Sequence, residues 1–185
     1  MVRVWHPTDN QHNLPINNTM YRNTNDFLNH WKYESEATLK VLNNLTDESL
    51  EQRVYAGGRT LRDLAWHITL TLTELPGNAG LSVEGPQEGQ PAPQSAQEIA
   101  AAYHQAANSV GEQVKAHWSD ETLPEKVQMY GQDWTKGYSL NALIDHQAHH
   151  RGQMTVLMRQ AGLKVPGVYG PSKEEWEAMG APALP

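Results

Sequence analysis

Apolar residues recur along most of this chain at the spacing of helices buried along one side. From Thr24, a candidate N-cap, to about Leu45 the positions Leu28, Trp31, Ser35, Thr38, Leu39, Leu42 and Leu45 keep helical phase, until Asn43 and Asn44 weaken it. A second stripe, Leu61, Leu64, Ala65, Ile68, Leu72 and Leu75, follows Thr60. Thr60 stands before Asp63 at the spacing of a capping box, in which each side chain satisfies the other residue's backbone N–H. Pro76-Gly77 is expected to stop that helix, since a proline ring clashes with the preceding turn. Ser95 and Glu98 open a third helix that continues through Ile99, Tyr103, Ala106, Val110 and Val114 to His117 or Trp118. The strongest pattern runs from Ser139 to Gly162, with Leu140, Leu143, Ile144, Gln147, Met154, Met158 and Ala161 on one stripe. Ser139 reads as its N-cap and Gly162 as the left-handed residue that ends it. Ser172 with Glu175 then caps a short last helix reaching about Gly180.

The connections lack such periodicity. Leu50 to Gly58 reads as extended, with Gly57-Gly58 allowing a tight turn. Gly77 to Pro93, rich in Gly, Pro, Glu and Gln, is a long loop that covers a site or joins helices. Residues 119–138 hold short apolar runs broken at Gly131, a short hairpin or an irregular crossover, and Pro166 to Pro171 forms a rigid loop. Residues 1–22 form an irregular N-terminal arm, leaving 23–185 as one domain. A chain of 185 residues has the length of one domain with one core. Four long one-faced helices within it predict an all-α fold, an up-down four-helix bundle with an extra short C-terminal helix.

Composition narrows the function. The formal charge of −7 and the absence of a Lys/Arg cluster argue against a partner with a phosphate backbone, so no nucleic acid is expected. No run of about 18 apolar residues suits a bilayer span, and Met1 to Asn10 lacks the apolar core of a secretion signal. A cytoplasmic protein without a membrane partner is the expectation. The chain has no cysteine, which removes disulfides, cysteine zinc sites and a protein thiol nucleophile. Any metal must be held by His, Asp or Glu, and any thiol must come from outside.

Histidines supply the candidate chemistry. At about 100° per residue, His146 and His150 lie one turn apart on one flank of the longest stripe, where both imidazoles can grip one ion. Alone, such a pair more often marks a solvated helix edge. His67 occupies the same kind of flank on the second helix. His149 falls well round its helix from the stripe. His104 and His117 have no companion one turn away and read as surface or edge residues; His6 and His12 read as solvated residues of the arm. Glu34, Asp145 and Tyr169 are candidate helpers, although a surface carboxylate is the simpler description of Glu34.

Two segments carry a resemblance to a known family. Thr-Leu-Arg-Asp-Leu-Ala-Trp-His-Ile over Thr60–Ile68 and His-Gln-Ala-His-His-Arg-Gly-Gln-Met over His146–Met154 resemble the two motifs of the DinB-like proteins, a superfamily related to the bacillithiol and mycothiol S-transferases. The resemblance reaches from about Tyr21 to Gly180 and includes the loop Val165–Ser172. It implies that His67, His146 and His150 bind a divalent ion, zinc or nickel. Three protein ligands leave a coordination position free, the arrangement of catalytic rather than structural sites. In the thiol-transferase branch that position takes the thiol of a small cofactor, which attacks an electrophile. A hydrolase using metal-bound hydroxide and a non-catalytic metal-binding stress-response protein are the alternatives. A homodimer is also implied, with Trp31, Trp118 and Trp134 able to contribute to its interface.

Overall fold

A computed structural model describes residues 21–182, so the expectations for most of the arm, including His6 and His12, lie outside the described residues. Within them, helix α1 (Thr24–Leu42), α2 (Leu61–Asn78), α3 (Ala96–His117), α4 (Lys136–Gln160) and the short α5 (Lys173–Ala178) dominate. A two-stranded antiparallel hairpin, β1 (Lys126–Met129) and β2 (Gln132–Thr135), precedes α4. α1 packs on α3 and α4, and α2 packs on the same two, so the order round the four-helix bundle is α1–α3–α2–α4. Helices consecutive in sequence at each end of the bundle, α1 with α2 and α3 with α4, therefore sit across its diagonals.

The apolar stripes become the core. Every residue of the predicted α2 stripe is buried, as are Ile99, Tyr103, Ala106, Val110 and Val114 of α3 and Leu140, Leu143, Ile144, Met154 and Met158 of α4. Burying one such large side chain contributes about 1.5–3 kcal/mol. On α1 the buried face is Phe27, Trp31, Glu34, Thr38 and Val41, which leaves the predicted Leu28, Ser35 and Leu39 half-buried at its edge. The offset arises because α1 must face two helices, and because a carboxylate, Glu34, lies on its buried side. Trp31 and Trp118 are buried in the core of this chain, and Trp134 is half-buried against Tyr138 and Tyr130. Of the three, Trp134 keeps ring surface for a neighbouring molecule. Tyr21, at the start of the described residues, is buried too, its hydroxyl 2.8 Å from His30 Nδ1.

Three helix ends differ from where local signals put them, two of them because of tertiary partners. Asn23 caps α1, accepting the Asp26 N–H at 2.8 Å, because the N–H and hydroxyl of Thr24 both donate to Asp120 beyond the end of α3. α4 begins at Lys136 rather than Ser139: Thr135, the last residue of the hairpin, accepts the Tyr138 N–H at 3.1 Å, so strand runs directly into helix. Pro76 lies inside the last turn of α2. The real stop is Gly80, whose φ of 96° lets the N–H of Leu81 reach back to Pro76 O and its own N–H to Gly77 O. The capping box at Thr60 and Asp63 forms as expected, with bonds of 2.8 and 3.0 Å. At α3 the Ser95 half forms, and Asp47 accepts the Ala96 N–H at 2.7 Å.

The loop after α2 joins helices instead of roofing a site. It lies along α2 and α3, held by Trp66 Nε1 donating to Gln90 O (2.8 Å), the Thr73 hydroxyl to Pro86 O (2.6 Å) and the Glu84 N–H to Ser109 Oγ (2.8 Å). The hairpin turns at Tyr130-Gly131, both at positive φ, and the Tyr130 hydroxyl anchors it to Glu74 of α2 at 2.8 Å. Among the described residues no helix is long and apolar enough to cross a membrane.

Candidate metal centre

α2 and α4 are locked in register by a side chain between the histidines. Gln147 is buried, donates to the Ile68 carbonyl at 3.0 Å and accepts from the Tyr103 hydroxyl at 3.1 Å, so one amide ties α2, α3 and α4 together. Ile68 follows His67, and Gln147 follows His146. That bond brings the two imidazoles together edge-on, their planes inclined by 63°.

The result is a three-histidine cluster. The ring centroids of His67, His146 and His150 are separated by 4.8, 4.6 and 4.4 Å, and one ligating nitrogen from each lies within 4.8 Å of the others. His67 Nε2 and His146 Nε2 are 3.1 Å apart. Nitrogens bound at about 2.0–2.1 Å to a tetrahedral ion stand roughly 3.3 Å apart, so this pair is already near ligating separation. His150 Nδ1 is 2.7 Å from Gln153 Oε1. Since an amide oxygen only accepts, the proton belongs on Nδ1, and the Nε2 lone pair of His150 is left free.

Burial and mutual repulsion keep the cluster uncharged. Desolvation, followed by the charges of His150 and Arg59, lowers His67 from 6.5 to about 4. Desolvation and the neighbouring histidines lower His146 to about 3, and His150 is lowered chiefly by burial. All three are neutral imidazoles at pH 7, the form that ligates a metal. His146 Nδ1 is buried with no hydrogen-bond partner. Three imidazoles with converging lone pairs, held in register by Gln147 and in tautomer by Gln153, fit a borderline transition-metal ion such as zinc or nickel.

Beside the cluster lies a cavity of about 580 Å³, with buried Leu64 and His150 and exposed Tyr55, Arg59, His149 and Gln153 among its lining. A smaller groove of about 360 Å³ between α1 and α3 touches none of the three histidines.

The candidate helpers fall elsewhere. Glu34 is 1% exposed, not a surface carboxylate; its Oε2 takes a 2.6 Å bond from Arg151 Nη2 and a 3.0 Å bond from the Tyr169 hydroxyl. Arg151 also donates to Glu34 O and Thr38 Oγ1 at 3.1 and 3.0 Å, and its Nη2 contacts the Tyr169 hydroxyl. Glu34 and Tyr169 thus meet around Arg151, and neither bonds to the cluster. Asp145 is exposed and accepts from Asn141 Nδ2 at 2.8 Å. His149 is exposed and bonded to Gln153, yet its ring comes within 4.8 Å of the His150 ring. It is not among the three, as its helical phase implied, but it is closer to them than that phase suggested.

Arg151, Gln153 and Arg59 escaped the sequence reading. Arg151 had a legible signal, since it lies on the stripe between Gln147 and Met154, where a charge demands a buried partner. Gln153, one turn beyond His149 and His150, offered only proximity. Arg59 gave none.

Comparison with known proteins places these features in context. Residues 20–183 match the profile of the DinB family. The chain is 48% identical over 164 residues to the uncharacterized protein YrdA of Bacillus subtilis, covering 89% of this chain and 98% of that one. It is similar to the crystal structure of a DinB-like protein from Bacillus cereus, with a TM-score of 0.78 and 44% identity over 81% of this chain and all of the other. A second DinB-like structure, from Bacillus subtilis, shares the fold at 14% identity, with a TM-score of 0.61 over 77% of this chain and 97% of that one.

Proposed function

The chain belongs to the DinB family, and on that premise we propose that it binds a divalent ion, zinc or nickel, through His67, His146 and His150, and transfers a low-molecular-weight thiol to an electrophile. The observation that carries the reading is the incompleteness of the donor set. Among the described residues the ligating group contains three neutral imidazoles and no carboxylate, and it borders a cavity that admits a small molecule. An ion bound there favours the thiolate over the thiol.

The chain's own residues hold and orient. His67 and His146 come from facing helices, Gln147 fixes their register, and Gln153 keeps the His150 proton on Nδ1. The reacting thiol has to be imported, because the chain has no cysteine. In the transfer the sulfur forms a bond to carbon, the bond from that carbon to its leaving group breaks, a halide departs with the electron pair, and the thiol proton passes to solvent.

A thiol panel tests this. Bacillithiol, mycothiol, glutathione and coenzyme A are each added to cobalt- or nickel-substituted protein with a chlorinated aromatic electrophile. One of them is expected to shift the metal spectrum and to accelerate loss of the electrophile, and His150→Ala is expected to abolish both. A panel in which no thiol does either would reject the transferase and favour a metal-dependent hydrolase or a non-catalytic metal-binding protein. The proposal includes a cytoplasmic homodimer; a monomeric mass by light scattering at micromolar concentration rejects the dimer.

A further inference from the structure

The cavity beside the histidines has walls that a solvated surface does not need. Val54, Tyr55 and Val156 line it while 67%, 69% and 55% exposed, so three of the chain's large exposed apolar side chains gather at one opening. Clustered exposed apolar surface marks a place where something binds. Buried Leu64 and Leu157 extend that surface inward. Tyr55 opens a tight turn in which Gly58 donates to the Tyr55 carbonyl at 2.9 Å, and the ring lies close over Gly58, where a Cβ would come within 3.0 Å of it. The glycine leaves room for the ring to lie close over the loop at that point.

One cation stands among these walls. Arg53 and Arg62 both pair with Glu51, Arg151 pairs with Glu34, and Arg159 pairs with Glu174. Arg59 lines the cavity and, among the described residues, has neither a hydrogen bond nor a carboxylate partner, in a chain of net charge −7. A guanidinium left without an internal anion beside an apolar wall is built to receive an anion from outside.

We infer that this cavity takes a small amphipathic acid, an apolar body lying against Tyr55, Val54 and Val156 with its acidic group on Arg59, and that Arg59 is the residue selecting it. As a statement about substrate class the inference rests on the thiol-transfer reading, in which either the thiol or the electrophile carries the acid. As a statement about binding it does not.

Octanoate, octanol and the ω-mercapto derivative of octanoate, titrated calorimetrically into the zinc-loaded protein, test it without turnover. Octanoate is expected to bind roughly threefold to tenfold tighter than octanol, the range between an exposed ion pair and a charge-assisted hydrogen bond. Arg59→Gln should erase that advantage and leave octanol unchanged, and Arg59→Lys should retain most of it. Arg59 is exposed and unbonded, so both variants fold. Tighter binding of the mercapto acid than of octanoate assigns the acid to the thiol; equal binding assigns it to the electrophile. Equal affinities for octanoate and octanol, no octanoate binding at millimolar concentration, or an advantage that survives Arg59→Gln would each overturn the inference. An inert thiol panel alongside an Arg59-dependent octanoate site would sink the transferase reading and leave this one standing.

Discussion

His150 and Arg151 are neighbours on one helix, both buried, and they serve opposite kinds of polar site. Arg151 ends in a closed cluster: its guanidinium meets Glu34, Thr38 and Tyr169, and the Glu34 carboxylate is in turn held by Arg151 and the Tyr169 hydroxyl. His150 ends in an open one, where three imidazoles converge with lone pairs to offer and one buried nitrogen, His146 Nδ1, has no partner. Completeness decides the role. A satisfied buried pair holds helices together and has nothing left for a ligand, whereas an under-satisfied cluster has a small molecule's work to do.

The largest test of that contrast removes the open site. His146→Ala with His150→Ala should lower metal retained after dialysis from about one ion per chain to background, because one imidazole cannot hold a transition ion. Elemental analysis reads it, and stoichiometric metal in the double variant would break the assignment. The closed site should respond in stability instead. Arg151→Ala leaves the buried Glu34 carboxylate with only the Tyr169 hydroxyl and the His30 ring, 3.4 Å from its Oε1, which costs up to about 3–5 kcal/mol. Urea unfolding of the metal-free protein measures this, and replacing Glu34 by Leu in the same chain should recover part of the loss. A change below about 1 kcal/mol would mean that water reaches the pair.

The pH response follows from the depressed histidines. In the unfolded chain they take up protons near 6.5, while the folded chain holds His67 unprotonated down to about 4 and His146 down to about 3. Between those values the unfolded state binds more protons, so the histidines' contribution to metal-free stability is full above about pH 6.5, falls as the pH drops toward 3, and is lost below. Urea midpoints across that window should show the fall, and His67→Ala should reduce it; a flat profile would contradict neutral burial of the cluster. The smallest pair of effects separates the neighbours of His150. Gln153→Ala should weaken metal affinity about 10- to 100-fold by freeing the His150 ring, a cost usual for a residue that orients a ligand. His149→Ala, on the exposed side, should change it less than about twofold. Reversal of that order, read by competition with a chromophoric chelator, would transfer the orienting role to His149.

Much of this was legible in the chain, for identifiable reasons. Periodicity is a property of the buried face, so the α2 stripe could be read residue by residue from Leu61 to Leu75. The cluster was legible from two signals together: His67, His146 and His150 each flank such a stripe, and the two segments that carry them resemble the motifs of the DinB-like proteins. What misled was the assumption that charge means surface. Glu34 and Arg151 both lie in phase with buried neighbours, Trp31 and Thr38 on α1 and Gln147 and Met154 on α4. Each is intelligible only with the other, which is 117 positions away. The same holds for helix ends: Thr24 and Ser139 are good caps, but Asp120 had taken Thr24, and the hairpin delivered Thr135 first.

The diagonal arrangement of helices has a consequence for how the chain is made. Synthesis delivers α1 and α2 first, yet neither is the other's permanent neighbour, and both wait for α3 and α4 to cover them. His67 and His146 are 79 positions apart, so the contact between them closes a long loop late. A ribosome that has passed α3 holds a chain with two uncovered apolar faces and a single one of the three imidazoles. Ion capture therefore marks the end of folding rather than its beginning, and a chain released before α4 would bind no metal while exposing the surfaces that chaperones recognise.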